Sequence, residues 1–150
     1  MEIQTAHFGK VEVEDGRILI FKKGLPGLEG YNKFVLLSSH ESRPVSWLQA
    51  AGEKIISLPV TDPFKIFPDY SFDISQADID ELGIENVRDV FVLSVLVIPR
   101  NIRAMTINLS APIIVNVRNN QGCQIILDDR KYRVRVPVSD LLIKPAKDGG

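Results

Sequence analysis

Cysteine and histidine are scarce in this sequence, which holds one cysteine, Cys123, and two histidines, His7 and His40. A single cysteine cannot form an intrachain disulfide, and a reducing compartment fits that usage. A zinc site takes three or four Cys, His or carboxylate ligands, and these residues lie far apart in no ligand spacing. We therefore expect no metal site and treat Cys123 as a small apolar residue beside a turn; a remote triple of Cys123, His40 and a carboxylate is the weaker alternative.

Long apolar runs and a strong net charge are also missing. The longest apolar run, residues 90–99, is interrupted by Ser94 and is about half the roughly 20 residues that a membrane-spanning helix needs. It reads better as a strand buried on both faces. The N-terminal residues show neither the basic nor the apolar region of a signal peptide. The formal net charge of −1 supplies no global field for nucleic acid or an anionic membrane. These absences predict a soluble, cytoplasmic protein.

Reactive motifs are equally hard to find. The glycine-rich segment 24–30 lacks the Lys-Ser/Thr of a phosphate-binding loop and has no dinucleotide spacing. Asp128 and Asp129 precede basic residues, a pattern typical of a solvated turn rather than of a catalytic carboxylate pair. We therefore expect no cofactor and no enzymatic activity. The alternative is an enzyme on an all-β scaffold that holds a flat cofactor, such as a flavin, in a concave pocket.

One basic cluster occupies residues 130–135 and contains Arg130, Lys131, Arg133 and Arg135. Single-stranded nucleic acid would require several exposed rings between the charges, and only Tyr132 is nearby. A charged, solvent-facing strand edge is the preferred interpretation. Nucleic-acid binding through a barrel with a basic groove remains a third hypothesis.

What the sequence has in abundance is period-two alternation, which is typical of strands. The first two runs, 11–13 and 18–20, flank Asp15-Gly16 and predict a hairpin. Further strand candidates lie at 34–37, 45–48, 55–60, 90–98, 104–109, 113–117, 124–127 and 132–136. This pattern predicts an all-β, mainly antiparallel fold that is barrel-like or sandwich-like. We expect one domain over residues 1–137 and a C-terminal tail, 138–150, that is partly disordered.

Helix signals occur at two places. Ser75 and Asp78 have the form of a capping box, and Gly83 stands where a left-handed C-cap belongs, which predicts a helix of about two turns. Asp62 and Pro63 predict a single helical turn, with Asp62 as its N-cap. We therefore expect one short α-helix and one helical turn.

Two segments are candidates for contact with a partner. Pro26 and Gly27 predict a type II turn, which is either a plain connection or a stiff loop that presents Leu25 and Leu28. The aromatic segment 64–72 contains Phe64, Phe67, Tyr70 and Phe72. It is equally well interpreted as a surface anchor or as a satellite cluster under a loop.

Three motifs in order resemble one family. Residues 21–28 resemble its Phe-x-x-Gly-Ile/Leu-Pro-Gly-Phe/Leu signature, residues 62–72 its Asp-Pro-Phe segment, and residues 108–116 its Asn-Leu-x-Ala-Pro stretch. The family is that of the bacterial flagellar assembly factor FliW. The resemblance covers roughly residues 1–137 and implies a non-catalytic, barrel-like β fold.

The resemblance also implies two protein partners. One is flagellin, bound in the cytoplasm before export, and the other is CsrA, an RNA-binding translational repressor that the factor sequesters, with an allosteric effect on its RNA affinity. Five acidic residues are candidates for docking the basic CsrA: Asp78, Asp80, Glu81, Glu85 and Asp89. The preferred alternative is that these residues form an ordinary solvated face.

The candidate protein-binding residues are the motif positions Leu25, Pro26, Phe64, Phe67, Tyr70, Asn108, Pro112 and Asn116. A structural interpretation stands beside this one for three of them. Pro112 is suited to a bend between strands, and Asn108 and Asn116 to capping turns with their side chains.

Overall fold

The computed structural model describes residues 1–128 and 131–138, and strands dominate this part of the chain. The expected class, mainly antiparallel all-β with two short helical segments, is confirmed. The predicted tail lies outside the described residues from position 139 onward, whereas Val138 is buried. The strands and helices are β1 (Glu2–Thr5), β2 (Gly9–Glu12), β3 (Ile18–Ile20), β4 (Lys33–Leu37), β5 (Ser46–Ala50), β6 (Ser57–Thr61), α1 (Pro63–Ile66), α2 (Gln76–Leu82), β7 (Val90–Val97), β8 (Thr106–Ile107), β9 (Ile113–Asn116), β10 (Gln121–Gln124) and β11 (Val136–Pro137).

Seven strands close into a barrel in the order β3-β4-β5-β6-β7-β9-β10. All neighbours are antiparallel except β10 and β3, whose parallel contact closes the barrel at Gln121 and Ile20. Alternate residues of each strand point inward, as the period-two pattern predicts. The resulting barrel core contains Leu19, Phe21, Leu25, Phe34, Leu48, Ala50, Val60, Leu93, Ile113 and Val115.

Strand β7 serves two sheets. Its first half pairs with β9 in the barrel, whereas Leu96 and Val97 pair with β8, which in turn pairs with β11. We call this three-stranded extension the β7–β8–β11 branch. Leu93 packs in the barrel core and Leu96 in a second cluster, so the middle of the strand is buried on both faces as predicted. The strand ends at Val97, which is 51% exposed.

The second cluster lies against the outer side of β7 and is called the outer cluster here. Its buried members are Tyr70, Leu96, Met105, Ile107, Leu109 and Val138.

The predicted hairpin between residues 11–13 and 18–20 is wrong. Strand β2 pairs with β1, and β3 pairs with β4 and β10. Residues Asp15–Arg17 form a 3₁₀ turn, which directs β3 into the barrel instead of back along β2. The β1–β2 hairpin packs on the outer side of the barrel, where Ile3 and Val13 meet Val35 of β4.

Two C-terminal strand predictions are displaced. Strand β10 ends where the run 124–127 was expected to begin, and the chain beyond it makes only single bonds, from Ile125 N–H to Pro112 O and Leu127 N–H to Ser110 O. Strand β11 begins at the last residue of the predicted run 132–136, because Tyr132 turns toward Tyr70 instead of alternating along a strand. Tertiary packing therefore overrides the period-two pattern there.

Both helix predictions are confirmed. Ser75 Oγ accepts the N–H of Asp78 at 3.1 Å and donates to its carboxylate at 2.9 Å, and Gly83 closes α2 with φ at 65°. The Oδ1 atom of Asp62 accepts the N–H of Phe64 at 2.9 Å, and Pro63 occupies the first turn of α1.

Candidate binding surfaces

The glycine-rich loop, residues 24–30, makes a tight turn and packs Leu25 and Leu28 against the barrel core. The Leu28 N–H donates to Leu25 O at 2.7 Å, and Gly27 has φ at 84°, as a type II turn requires. The Gly27 N–H also donates to the Glu29 carboxylate at 3.0 Å, which lowers the pKa of that group. Leu25 is 1% exposed in the barrel core, and Leu28 packs against it. The loop therefore does not present Leu25, and its exposed apolar residue is Pro26.

The aromatic segment forms a graded cluster centred on Tyr70. Its ring lies 5.6 Å from Phe64, 5.4 Å from Phe72 and 4.7 Å from Tyr132, measured between ring centroids. Tyr70 is 4% exposed, Phe67 and Phe72 are partly buried, and Phe64 is 40% exposed. The satellite-cluster interpretation thus describes most of the segment, and Phe64 alone keeps a large exposed ring.

Two tyrosine hydroxyls join this segment to the residues that follow β8 and precede β11. Tyr70 Oη donates to Leu109 O at 2.8 Å, and burial raises the pKa of that phenol, with a smaller contribution from Tyr132. Tyr132 Oη accepts the N–H of Ser71 at 3.0 Å, and this bond lowers the pKa of Tyr132. The bonds join segments distant in sequence, so the cluster is held at both ends.

The third motif, residues 108–116, makes hydrogen bonds that hold the backbone around it. Asn108 Oδ1 accepts the N–H groups of Ser110 at 2.9 Å and Ala111 at 3.1 Å, which forms a side-chain turn before β9. Pro112 is buried, and its carbonyl accepts the N–H of Ile125 at 2.9 Å. The structural interpretation of Asn108 is confirmed by these bonds, whereas the bend proposed at Pro112 stays a prediction.

Asn116 ends the same motif and holds α2 against the barrel. It is 1% exposed, and its Nδ2 donates to Leu82 O at 2.9 Å and to Gly83 O at 3.2 Å. Its Oδ1 accepts the N–H of Arg118 at 3.0 Å, while Asn119 adds a second amide to Leu82 O at 2.9 Å. One asparagine therefore caps both a turn and the C-terminal end of the helix.

The candidate residues are not gathered on one surface. Leu25, Tyr70, Pro112 and Asn116 are buried, so none of these side chains is available to a partner in this conformation. Phe67 and Asn108 are partly buried, whereas Pro26 and Phe64 are exposed on separate elements. Contact of any of the candidates with a partner stays a prediction.

Acidic side chains line helix α2 and the segment after it. Asp80, Glu81 and Glu85 are exposed, and Asp78 and Asp89 are partly buried. Glu81 accepts from Lys23 Nζ at 3.0 Å, and this bond raises the pKa of Lys23. The remaining exposed carboxylates leave a negative surface beside the barrel closure.

Two depressions in the surface were compared with what a ligand or metal site requires. One of about 460 Å³ is lined by Ser71, Phe72, Asp73, Leu127, Asp128 and Lys131, and another of about 540 Å³ by Glu85, Asn86, Arg88, Asp89 and Arg118. Within the described ranges, no three His, Cys, Asp or Glu side chains come together as a metal site requires. Burial raises the pKa of Cys123 to about 11, which leaves its thiol protonated at neutral pH. Neither helix in the described part of the chain has the length and apolarity of a bilayer-crossing segment.

Sequence reasoning missed one central residue, Gln49. It is 1% exposed, its Oε1 accepts the Ala6 N–H at 3.0 Å, and its Nε2 faces several carbonyl oxygens of the 50–56 segment. A polar residue at the end of an apolar run gave no local signal of this role. The exposed face of the β7–β8–β11 branch was missed as well, since exposure depends on packing.

Fold and surfaces together define a small, closed, mainly antiparallel β-barrel that carries a hairpin, a short helix and an aromatic cluster on its outer side. The family model described as "FliW protein" matches residues 2–138. The chain is 33% identical over 160 residues to the flagellar assembly factor FliW of Alkaliphilus metalliredigens, covering 100% of this chain and 99% of that protein. It is 38% identical over 133 residues to the one from Caldicellulosiruptor bescii, covering 89% and 87%. A crystal structure of the flagellar assembly factor FliW superposes with a TM-score of 0.86 at 30% identity, covering 92% of this chain and 96% of that one.

The chain belongs to the FliW family of flagellar assembly factors. The resemblance seen in the three motifs is thereby confirmed.

Proposed function

We propose that this protein is a cytoplasmic, non-enzymatic factor that binds flagellin and sequesters the translational repressor CsrA. The single observation that carries the proposal is membership in the FliW family over residues 2–138. The exposed surface is compatible with this proposal, because it carries charged and apolar side chains that a protein partner could contact. The buried candidate residues have structural contacts instead.

The proposed mechanism is a partner switch. When flagellin accumulates, it occupies the factor, CsrA is released, and translation of flagellin is repressed. Export of flagellin frees the factor, which then takes up CsrA again. Such coupling requires that the two partners compete, or that each lowers the affinity for the other by the same factor.

The acidic surface of α2 and of the segment after it supports the CsrA half of the proposal. CsrA binds RNA and therefore presents basic surfaces, and Asp80 and Glu85 are exposed carboxylates opposite in sign. Complementary charge at the rim of an interface mainly raises the association rate and the salt dependence. The proposal thus assigns α2 to the steering of CsrA.

Isothermal titration of the purified protein with monomeric flagellin and with CsrA tests the proposal. We expect association with each partner at micromolar concentrations or below, and a displacement of CsrA when flagellin is added. No heat of binding with either partner at tens of micromolar would refute the function.

A matched pair of variants tests the role of α2. Asp80→Asn with Glu85→Gln should slow CsrA association several-fold at low salt, whereas Glu2→Gln with Glu14→Gln removes as much charge from exposed positions elsewhere. Equal rates for the two double variants would contradict the assignment of α2.

A further inference from the structure

The β7–β8–β11 branch has two faces of different character. Leu96, Ile107 and Val136 lie in register on one face and pack in the outer cluster. The next register positions, Val97, Thr106 and Pro137, form a row on the opposite face, since directly paired residues share a face. The two ends of this row are exposed, with Val97 at 51%.

Exposed aliphatic residues also occur next to this row in the sequence. The connection between β7 and β8 carries Ile98, which is 37% exposed, and Ile102, which is 46% exposed. Single exposed aliphatic residues need no explanation, but several beside one another mark an interaction surface. The strands of the branch and their connection thus expose four aliphatic residues, Val97, Ile98, Ile102 and Pro137, which we call the aliphatic patch.

Four exposed arginines lie on the segments that carry this patch. No Asp or Glu occurs in the sequence between Asp89 and Asp128 or between Asp129 and Asp140. Arg100 and Arg103 project from the β7–β8 connection, and Arg133 and Arg135 precede β11; all are exposed, and none forms an ion pair with a described residue. The branch is thus locally basic in a chain whose formal net charge is −1.

The edge of the branch is closed to strand addition by the same proline that contributes to its face. The Val138 N–H donates to Met105 O, on the β8 side of β11, at 3.2 Å. Because successive backbone N–H groups of a strand point to opposite sides, the nitrogen of Pro137 faces away from β8, toward the open edge. Proline has no N–H to donate there, so an added strand would lack a backbone hydrogen bond at this position. A partner is therefore expected to lie on the face and not to pair with the edge.

We propose that this face of the branch docks an acidic, apolar-bearing segment of flagellin; the proposal rests on the function proposed above. CsrA is disfavoured here because its basic surfaces would be repelled by the arginines. RNA is disfavoured because the exposed side chains among the arginines are aliphatic, whereas single-stranded RNA binds on aromatic rings. The two partners then use surfaces of opposite charge on one barrel.

Charge reversal tests the arginines. In titrations with monomeric flagellin, Arg100→Glu with Arg103→Glu should weaken binding about tenfold or more at low salt, and less at high salt, while CsrA affinity stays unchanged. Lys10→Glu with Lys33→Glu reverses the same charge on exposed residues of β2 and β4 and should change flagellin affinity less than threefold.

A second pair tests the aliphatic patch. Ile102→Ser should weaken flagellin binding about tenfold, whereas Ile55→Ser, at a turn position that is 81% exposed, should leave it unchanged. Thermal melts of all variants establish that they fold.

The outcomes separate the proposals. Wild-type binding of flagellin with both branch variants unchanged overturns the docking surface and leaves the function standing. Loss of CsrA binding in place of flagellin binding also overturns it, as does binding of a short single-stranded RNA that the arginine variant abolishes. A wild-type protein that binds neither flagellin nor CsrA overturns both proposals.

Discussion

Replacing Gln49 is the substitution whose effect the structure defines most sharply. The side chain joins the β1–β2 hairpin to the barrel by accepting the Ala6 N–H at 3.0 Å. Its Nε2 lies 3.1 or 3.2 Å from the carbonyl oxygens of Ala50, Glu53, Lys54 and Ile56. Gln49→Met keeps the length of the side chain and removes all of these bonds.

The expected loss follows from how many bonds the amide can make at once. An amide NH₂ has two hydrogens, so about three bonds are satisfied together, counting the one accepted from Ala6. At about 0.5–1.5 kcal/mol each, with some recovery where the exposed Lys54 segment reaches water, the loss is about 2–4 kcal/mol. For a chain of 150 residues this lowers Tm by about 5–15 °C.

A second substitution at the same position separates hydrogen bonding from packing. In Gln49→Glu a carboxylate would face carbonyl oxygens, so the pKa of the introduced carboxyl is raised above its unfolded value. A raised folded pKa means that stability is retained at low pH, below the unfolded value, and is lost as pH rises through the folded value. Gln49→Glu should therefore lose stability relative to wild type from pH 4 upward, and Gln49→Met should not show that slope.

Urea unfolding monitored by fluorescence measures both effects. Trp47 is the single tryptophan, lies in the same strand and stacks on His7 of the hairpin with ring centroids 3.6 Å apart, so it reports hairpin docking. Gln4→Met, at an exposed position of β1, is the control and should change stability by less than about 0.5 kcal/mol. A Gln49→Met protein within that range of wild type, or a Gln49→Glu protein without pH dependence, would refute the reasoning.

Three further predictions concern the aromatic segment, the cysteine and the glycine loop. Phe64→Ala should weaken partner binding in titrations while lowering Tm by only a few degrees. Phe67→Ala should lower Tm more, because its ring packs in the outer cluster. A larger fall in Tm for Phe64→Ala than for Phe67→Ala would assign Phe64 to the core. Cys123, with a pKa of about 11, should react with iodoacetamide at pH 8 about a hundredfold slower than after unfolding in urea, and equal rates would contradict its burial. Gly24→Ala should destabilise by more than about 2 kcal/mol in urea unfolding, because φ is 70° and the added Cβ would lie 2.6 Å from Glu29 Cα, whereas Gly27→Ala, with open space around it, should cost about 1 kcal/mol; the reverse order would refute the loop geometry.

Local signals in the sequence predicted local structure well. The caps at Asp62 and Ser75, the left-handed Gly83 and the type II turn at Pro26-Gly27 all involve partners within a few residues. Such bonds depend on side-chain chemistry and chain geometry over one turn, so sequence spacing is sufficient to anticipate them. The strand-rich class followed from alternation in the same way.

Long-range pairing was beyond that reasoning. The N-terminal hairpin partner of β2 is β1 and not β3, and the barrel closes through one parallel residue pair between β10 and β3. Gln49 meets Ala6 across 43 residues, and no short motif announces such a bond. Which of several equally patterned strands become neighbours depends on the packing of the whole barrel, which a pattern of period two does not encode.

The motifs that carried the family resemblance explain why the candidate site was harder to predict than the fold. Leu25 fills the core, Tyr70 bonds a backbone carbonyl of the third motif, and Asn116 caps the neighbouring helix, so these motif residues build the barrel. Motif residues with structural roles identify the fold and the family, but they do not indicate which surface binds a partner. The exposed arginines Arg100 and Arg103 lie outside all three motifs, so substitutions there are expected to leave the fold intact. In this chain the residues to test for partner contact are therefore the exposed ones, namely Phe64 of the second motif and the arginines of the β7–β8 connection.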